Sequence, residues 1–256
     1  MDSQPDEGRR ALAFMNRLDE AVASEVREWR LGTALVTPEL PRVWDASYFR
    51  VERPDDDAER VAAETVEIAG AAGLAHCAVV LTDDEIADEL GPGLESAGFE
   101  EMRYAVMGLR EAPPPPELAI AEVSFEDVAA SRRRITLEFF PGDEALADQL
   151  GVLDRRLEAT IGGRWFAVRE GGEPAARAWL LGSDAVGQVE DVATAPDRRR
   201  TGLARAVVSA AARASLEAGN ELTFVVVNDG HTTPELYRKT GFEPVGSMRR
   251  FVKRLR

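Results

Sequence analysis

The segment from Val189 to Gly219 constrains the fold more than any other part of the chain. It begins as a β-branched stretch, VEDVATA, meets Pro196, passes through the basic turn DRRRT and continues from Gly202 as the amphipathic LARAVVSAAARASLEAG. This pattern predicts a strand, a turn and a long helix. Because the first N–H groups of a helix have no intrahelical partners and carry partial positive charge, the start of this helix suits a diphosphate.

Small residues and cations surround that helix start. Gly202 and Ala204 keep side-chain bulk away from the backbone, so an anion can approach the N–H groups closely. Arg198, Arg199 and Arg200 add charge-assisted hydrogen-bond donors. The alternative interpretation is an arginine-rich, solvated turn ahead of an ordinary helix.

A second motif lies further along, where Leu236-Tyr237 is followed after three residues by Gly241-Phe242. Together with the segment Arg199-Arg200-Thr201-Gly202-Leu203-Ala204, it resembles the coenzyme A-binding pattern of the GNAT N-acetyltransferase superfamily. The resemblance covers roughly residues 117–256. It implies an α/β protein with an α+β mixed sheet, whose C-terminal half has the acyl-CoA N-acyltransferase (GNAT) fold. It also implies an acyl-CoA donor, with acetyl-CoA as the first expectation, and no metal.

A tetraproline at residues 113–116 divides the chain. Four successive residues without N–H groups cannot continue a helix or a sheet ladder. We therefore predict a stiff linker at 113–116 between a domain of residues 1–112 and a GNAT domain of residues 117–256. In the second domain we predict strands over 117–124, 164–170, 176–184 and 222–227, helices from Phe125 onward, and a turn at Gly171-Gly172.

The first half follows a fainter version of the same plan. We predict a helix from about Glu7 to Trp29, strands over GTALV, SYFRVE and HCAVVL, and a capped helix that ends at Gly73. A Leu-led helix end followed by Gly-Phe-Glu and a strand occurs twice, in LESAGFEEMRYAVM (94–107) and in LYRKTGFEPVGSMRRFV (236–252). The repetition indicates a tandem arrangement with a degenerate GNAT-like N-terminal half.

Three aspartates, residues 55–57, precede a helix of the first half where three arginines precede the helix of the second. Their side chains complement the helix dipole themselves and would repel a diphosphate. The first half is therefore not expected to bind coenzyme A in this way. Its expected role is structural support or shaping of the acceptor cleft.

Amine acylation needs a neutral amine and a route for the leaving thiolate. An amine of pKa about 10.4 is neutral in roughly one molecule of 2,500 at pH 7, a cost of about 4.6 kcal/mol. Glu190 or Asp191 on the motif strand could accept the proton, directly or through water, and strand alternation places them on opposite faces. We favour Glu190, which shares its face with Gln188. A surface or salt-bridged carboxylate is the alternative.

The resemblance assigns Tyr237 the role of general acid toward the thiolate, and packing in the core is the alternative for this side chain. It also implies that the pantetheine arm pairs with the backbone of Val192, Ala193 and Thr194, and that this strand splays from the strand facing it, residues 224–227. Relatives often carry Asn seven residues before the tyrosine. Here position 230 is Gly, so a donor contact falls to Asn228 or Asp229 through a longer turn, with Thr232 or Thr233 capping the helix.

The composition and charge of the chain limit the kinds of partner that it is expected to bind. The formal charge is −15, which argues against a general nucleic-acid binder. Residues 1–116 hold 25 acidic and 11 basic residues, so almost all excess acid lies there, either for solubility or to attract a cationic acceptor. The lone Cys77 has no partner for a disulfide or a metal site, and no segment reads as a signal peptide or a membrane span. A cytoplasmic protein is expected.

These observations predict an acyl-CoA-dependent N-acyltransferase that works by direct attack of an amine, with a small-molecule or peptide acceptor and a monomeric or homodimeric state. Two alternatives stay open: a non-catalytic acyl-CoA-binding module, and a tandem-GNAT enzyme with an amino-sugar acceptor, as in mycothiol synthases. His76 and His231 suggest no metal site or triad. Four aromatic residues are interpreted as core, although the last two could line the acceptor pocket: Trp165, Trp179, Phe139 and Phe140.

Overall fold

A computed structural model describes residues 3–55, 57–170, 172–228 and 234–255. The chain forms two compact units that alternate along the sequence. Unit A comprises Met1–Phe14, Val106–Val227 and Thr232–Gly246, and unit B comprises Met15–Ala105, Asn228–His231 and Ser247–Arg256. Each unit is described by itself below.

Unit B carries a mixed sheet whose strands follow the order β1-β2-β3-β4-β11. All neighbours are antiparallel except β3 and β4, which are parallel. Helices α2 and α3 cover one face, where Phe49, Val79 and Phe251 are buried. The elements that lie wholly or partly in this unit are α1 Ser3–Val22, β1 Glu25–Trp29, β2 Gly32–Val36, β3 Tyr48–Val51, α2 Ala58–Ala71, β4 His76–Leu81, α3 Asp84–Ser96, β5 Glu100–Leu109 and β11 Phe242–Arg254.

Unit A carries a second mixed arrangement in the order β10-β9-β8-β7-β6. Its neighbours are antiparallel except β9 and β10, which are parallel. Trp165 and Trp179 oppose each other across two strands and stack with their ring centroids 4.5 Å apart. The remaining elements of this unit are β6 Ala121–Val123, α4 Phe125–Phe139, α5 Glu144–Ile161, β7 Arg164–Glu170, β8 Glu173–Ser183, β9 Val186–Thr194, α6 Leu203–Glu217, β10 Leu222–Asn228 and α7 Pro234–Arg238.

The predicted helix from Glu7 to Trp29 is wrong in its last third. Helix α1 ends at Val22, and Glu25–Trp29 forms a strand that returns antiparallel to β2 after two residues. The spacing of Val22, Val26 and Trp29 imitates a helical face, but Val26 is 48% exposed, so these residues share no buried face. Gly32 at the start of β2 allows β3 to approach closely, because a Cβ there would lie 2.4 Å from the carbonyl oxygen of Arg50.

Most other predicted elements are confirmed, with changes in length. Strand β6 has only three residues, whereas a strand was predicted over 117–124. The two Gly-Phe joints have the same local geometry, since Gly98 and Gly241 adopt φ of +87° and +89° and precede the buried Phe99 and Phe242. This local similarity agrees with a tandem arrangement, which stays a prediction.

The tetraproline belongs to no helix or strand. The carbonyl oxygen of Pro113 accepts a hydrogen bond from Arg213 Nη1 at 3.2 Å, which holds the segment against α6 within unit A. Residues 106–112 lie in unit A together with the segment that follows the prolines. The division into domains of residues 1–112 and 117–256 stays a prediction, and the predicted turn at Gly171-Gly172 falls partly outside the described residues.

Candidate active site

Strands β9 and β10 begin side by side and then separate. Their parallel pairing ends where Phe224 meets Gln188, although β9 runs on to Thr194 and β10 to Asn228. On its other side β9 stays paired with β8 as far as Thr194. The second half of β9 therefore presents one unpaired backbone edge, and its residues 190–194 are only partly buried. An extended amide-bearing ligand could add there as a strand does.

The corresponding parallel pair of unit B shows no such gap. The register of β3 and β4 continues until Val51 meets Leu81, the last residue of each strand. All residues of these two strands are buried. Of these two parallel pairs, only β9–β10 has an open end.

Helix α6 begins beside this open end without a capping side chain. Its N-cap is Gly202, in a left-handed conformation with φ of +87°, and no acidic residue lies in the first turn. A Cβ at Gly202 would meet no atom within 4 Å, so space lies open in front of the helix. The first N–H groups of the helix are thus accessible to an anion.

The basic turn before α6 is exposed and partly ordered by its neighbours. The turn Pro196–Arg198 is a 3-10 helix, and Thr201 Oγ1 donates to the carbonyl oxygen of Arg198 at 2.5 Å. Arg199 donates to Glu138 Oε2 at 3.0 Å and to the carbonyl oxygen of Thr194 at 3.4 Å. Arg199 thereby joins the turn to the end of β9 and to α4.

The helix start predicted to exclude coenzyme A is filled by carboxylates. The Asp57 side chain accepts a hydrogen bond from Arg60 N at 2.9 Å and caps α2. Burial opposes the ionisation of Asp55, but hydrogen bonds from Arg30, from Asp57 N and from Arg60 lower its pKa to about 2. Asp55 therefore stays ionised at physiological pH. That the first half does not bind coenzyme A in this way stays a prediction.

A bulge in β9 separates the roles of Glu190 and Asp191. The register with β8 slips there, since Arg177 opposes Ala193 while Trp179 opposes Glu190, and Asp191 adopts a left-handed φ of +46°. Gln188 Nε2 donates to Glu190 Oε2 at 2.6 Å, as expected for side chains on one face.

Asp191 is held by two arginines. Its carboxylate accepts from Arg177 Nε at 2.7 Å and from Arg132 Nη1 at 2.8 Å. Burial opposes its ionisation, but these two guanidinium groups prevail and lower the pKa of Asp191. A carboxylate so strongly paired is a poor proton acceptor, which leaves Glu190 as the better candidate for the base.

Tyr237 lies on α7 and is buried. Its ring packs edge-on against Phe242 with centroids 6.1 Å apart. Burial, and secondly the charge of Glu190, raise the pKa of Tyr237 above its ordinary value. The phenol therefore stays protonated at neutral pH and can donate a hydrogen bond.

The other predicted residues fall in different places. Asn228 is the last residue of β10, while Asp229, Gly230, His231, Thr232 and Thr233 lie outside the described residues. Trp165 and Trp179 are core residues, as predicted. The core interpretation of Phe139 and Phe140 is wrong, because they are 58% and 37% exposed at the end of α4.

Cys77 and His76 of unit B are both buried. Burial raises the pKa of Cys77 to about 11, so its thiol stays protonated. Both ring nitrogens of His76 lie 3.1 Å from backbone carbonyl oxygens. Across both units, the described part of the chain contains no group of three or more side chains suited to a metal ion. None of its helices combines the length and hydropathy needed to cross a membrane.

The comparisons with known proteins agree with this geometry. Residues 167–252 match the family model described as FR47-like protein, which is GNAT-related. This match contains β9, α6 and Tyr237. The tandem arrangement is not decided by this match, which covers about a third of the chain, and no curated protein sequence matches significantly.

Several solved structures share the fold over most of this chain. A GCN5-related N-acetyltransferase from Kribbella flavida is 21% identical, with a TM-score of 0.65, over 96% of this chain and 95% of its own. A GCN5-related N-acetyltransferase from Sphaerobacter thermophilus is 13% identical, with a TM-score of 0.61, over 88% and 76%. A functionally unknown conserved protein from Staphylococcus epidermidis is 11% identical, with a TM-score of 0.70, over 91% and 94%. At these identities the similarity establishes the fold.

Proposed function

We propose that this chain is a GNAT-type enzyme that transfers the acyl group of acetyl-CoA to an amine acceptor, a small molecule or a peptide, in the cytoplasm. The observation that carries the proposal is the open end between β9 and β10 beside the uncapped start of α6. The helix start and the arginines suit the diphosphate, and the unpaired edge of β9 suits the amides of the pantetheine arm.

The donor contacts follow from the places of the predicted residues. Val192, Ala193 and Thr194 offer backbone groups on the unpaired edge of β9. The hydroxyl of Thr194 is buried and has no hydrogen-bond partner, so it is available to a ligand. We assign the segment 199–204 to the phosphates of the donor, and Asn228 at the end of β10 stays a predicted donor contact.

Glu190 is the proposed general base. In the reaction the amine nitrogen forms a bond to the thioester carbon, loses a proton to Glu190, and the carbon–sulfur bond then breaks. Gln188 orients the Glu190 carboxylate through its hydrogen bond, and a water molecule can extend the reach of the base. Asp191 takes no part in proton transfer because it is paired with Arg132 and Arg177.

Tyr237 is the proposed donor toward the leaving sulfur. An ordinary thiol has a pKa of about 8.5, below the ordinary tyrosine value of about 10, so complete proton transfer from Tyr237 costs roughly 2 kcal/mol or more. The raised pKa of Tyr237 increases this cost. A hydrogen bond from Tyr237 that strengthens as charge develops on sulfur avoids the cost of complete proton transfer. Solvent then protonates the thiolate.

Calorimetry and turnover together test the proposal. Acetyl-CoA should bind the purified chain, and a panel of amines should release free coenzyme A thiol at a rate that depends on the amine. Binding without turnover on the whole panel would favour the non-catalytic module. If millimolar acetyl-CoA produces no heat of binding, the chain is not an acyl-CoA-dependent enzyme.

A further inference from the structure

Four charged side chains from four elements meet behind the bulge of β9. Arg132 of α4 bonds Asp154 of α5, with Nη2 2.8 Å from Oδ1, and also bonds Asp191. Arg177 of β8 bonds Asp191 and donates from Nη1 to Ser131 Oγ at 3.1 Å. The side chains of Asp154 and Arg177 are each only 2% exposed. The network is therefore internal and balanced, with two positive and two negative charges.

Stability alone does not account for this network. Buried ion pairs lose most of their attraction to desolvation, and apolar side chains of similar volume often stabilise a fold equally well. The network instead meets the one β9 residue with a left-handed backbone, Asp191. Such a conformation costs a non-glycine residue about 1 to 2 kcal/mol, and it persists where surrounding contacts hold it. The two guanidinium groups on the Asp191 carboxylate are those contacts.

Glu190 lies next to this fixed residue and is exposed to the same charges. It accepts a hydrogen bond from Gln188 of its own strand, and its charge contributes to the raised pKa values of Tyr237 on α7 and of Arg132 on α4. Behind Arg132 lie Asp154 and Asp191, and behind Asp191 lies Arg177. Loss of the Asp191 charge would leave one net positive charge near Glu190.

We propose that Asp191 is a positioning residue, whose pairing with Arg132 and Arg177 fixes the β9 bulge, orients Glu190 and shields it from cationic charge. This inference rests on the proposed function, because it treats Glu190 as the base. Through the Asp191 carboxylate, the network also connects helices α4 and α5 to strand β9.

The substitution Asp191→Asn tests the shielding at constant side-chain shape. The unbalanced positive charge should favour ionised Glu190 and lower its pKa by about one unit. Carbon-13 NMR titration of the Glu190 carboxyl, assigned with Glu190→Gln, measures this shift without any need for turnover. An unchanged titration midpoint would overturn the proposal even if the enzyme proved inactive on every amine.

Steady-state kinetics test whether Asp191 orients Glu190. In Asp191→Asn, kcat should fall about tenfold, its acidic limb should move to lower pH, and the calorimetric affinity for acetyl-CoA should change less than twofold. Arg132→Lys keeps the charge but cannot bridge two carboxylates as a guanidinium does, so it should lower kcat and leave the acidic limb in place. Equal kcat in both variants and the unaltered chain would contradict the orienting role.

Asp127→Asn is the matched control. Asp127 also lies on α4 and is paired with an arginine, Arg169, but it caps the helix start instead of meeting β9. Its substitution should change stability without a shift in the Glu190 titration.

If Asp191→Asn fails to fold, Arg132→Lys still decides whether the network affects kcat. Absence of acetyl-CoA binding in the unaltered chain would refute the proposed function, whereas the NMR titration judges the network separately.

Discussion

Gly202 has the backbone conformation and the open surroundings that a bound diphosphate needs. With φ of +87° it starts α6, and a side chain there would occupy the space in front of the helix N–H groups. We expect Gly202→Glu to weaken acetyl-CoA binding at least a hundredfold, because it adds both bulk and negative charge at the phosphate position. Isothermal titration calorimetry measures the change.

The same helix supplies a matched control. Gly219, just past the end of α6, has φ of +83° and equally open surroundings. Gly219→Glu should therefore cost as much folding stability as Gly202→Glu, about 1 to 2 kcal/mol, and leave acetyl-CoA affinity intact. Equal losses of affinity in the two variants would show that general destabilisation, and no local phosphate contact, explains the effect.

The role of the Tyr237 hydroxyl group can be tested by removing that group alone. Tyr237→Phe keeps the edge-on contact with Phe242 and removes only the donor. We expect kcat to fall about 10- to 100-fold with little change in acetyl-CoA affinity, because the hydrogen bond strengthens only as the thiolate forms. Tyr104→Phe in unit B is the control and should leave kcat unchanged. An unaffected kcat in Tyr237→Phe would remove this residue from the mechanism.

Asp19 makes the stability of the fold depend on pH. Burial raises its pKa to about 7, and Tyr48 donates a hydrogen bond to it at 2.6 Å. Because the folded value lies above the unfolded value of about 3.9, the contribution to stability is complete below pH 4 and is lost as pH rises through 7. Asp19→Asn cannot ionise, so it should be the more stable form at pH 8, by on the order of 2 kcal/mol.

Urea unfolding at pH 5 and pH 8 checks this expectation for Asp19. The difference in unfolding free energy between Asp19→Asn and the unaltered chain should grow with pH. A difference that is the same at both values would mean that Asp19 is ionised in the folded protein under both conditions.

At the level of elements, the separation of β9 from β10 should appear in hydrogen exchange. The amides of residues 190–194 have no partner strand on the β10 side, and those at the start of α6 have no intrahelical partners. Acetyl-CoA should slow exchange over residues 190–205, whereas the β3–α2 segment, residues 48–60, should be unaffected. Binding by calorimetry without protection of residues 190–205 would place the donor elsewhere.

The sequence predicts elements well where local signals agree. Pro196, the basic turn and Gly202 mark the end of β9 and the start of α6, and aspartates mark the starts of α2 and α3. The prediction is wrong at β1, because Val26 matches a helical spacing while it points to solvent. The local pattern of residues 25–29 does not show which side chains are buried. The pairing of β1 with β2 determines this.

The least predictable part of the site is the set of side chains behind Glu190. Strand alternation correctly places Gln188 and Glu190 on one face. The bulge at Asp191 depends on Arg132, Asp154 and Arg177, which lie 59, 37 and 14 positions before it in the sequence and share no motif spacing with it. Such a network becomes visible only when α4, α5 and β8 are placed in space.

In the whole molecule, the two compact units do not correspond to the two halves of the sequence. Unit A takes in residues 3–14 and 106–112 from the first half, and unit B takes in the last strand from residue 247 onward. A composition break at the tetraproline cannot reveal such an exchange, because proline content reports only local stiffness. The GNAT-like pattern can be recognised from the sequence because its residues lie close together, whereas the partners of β11 are distant in sequence.

This exchange leads to an expectation about the fragment 117–256. It would lack Phe14, which is fully buried and packs against Phe224 with ring centroids 5.7 Å apart, as well as the buried Val106 and Met107. Each loss of a buried side chain of this size costs roughly 2 to 5 kcal/mol. The total is comparable with the whole stability of a domain, about 5 to 15 kcal/mol.

The fragment would also leave the end of β11 without a partner. Residues 249–254 pair antiparallel with β4, and Phe251 is fully buried within unit B. An unpaired apolar strand is prone to aggregate. We therefore expect fragment 117–256 to show neither a cooperative urea transition nor acetyl-CoA binding. The full chain with residues 113–116 replaced by Gly-Ser-Gly-Ser should retain both, because the prolines only connect segments of unit A. A fragment that unfolds cooperatively and binds acetyl-CoA would instead establish residues 117–256 as an autonomous domain.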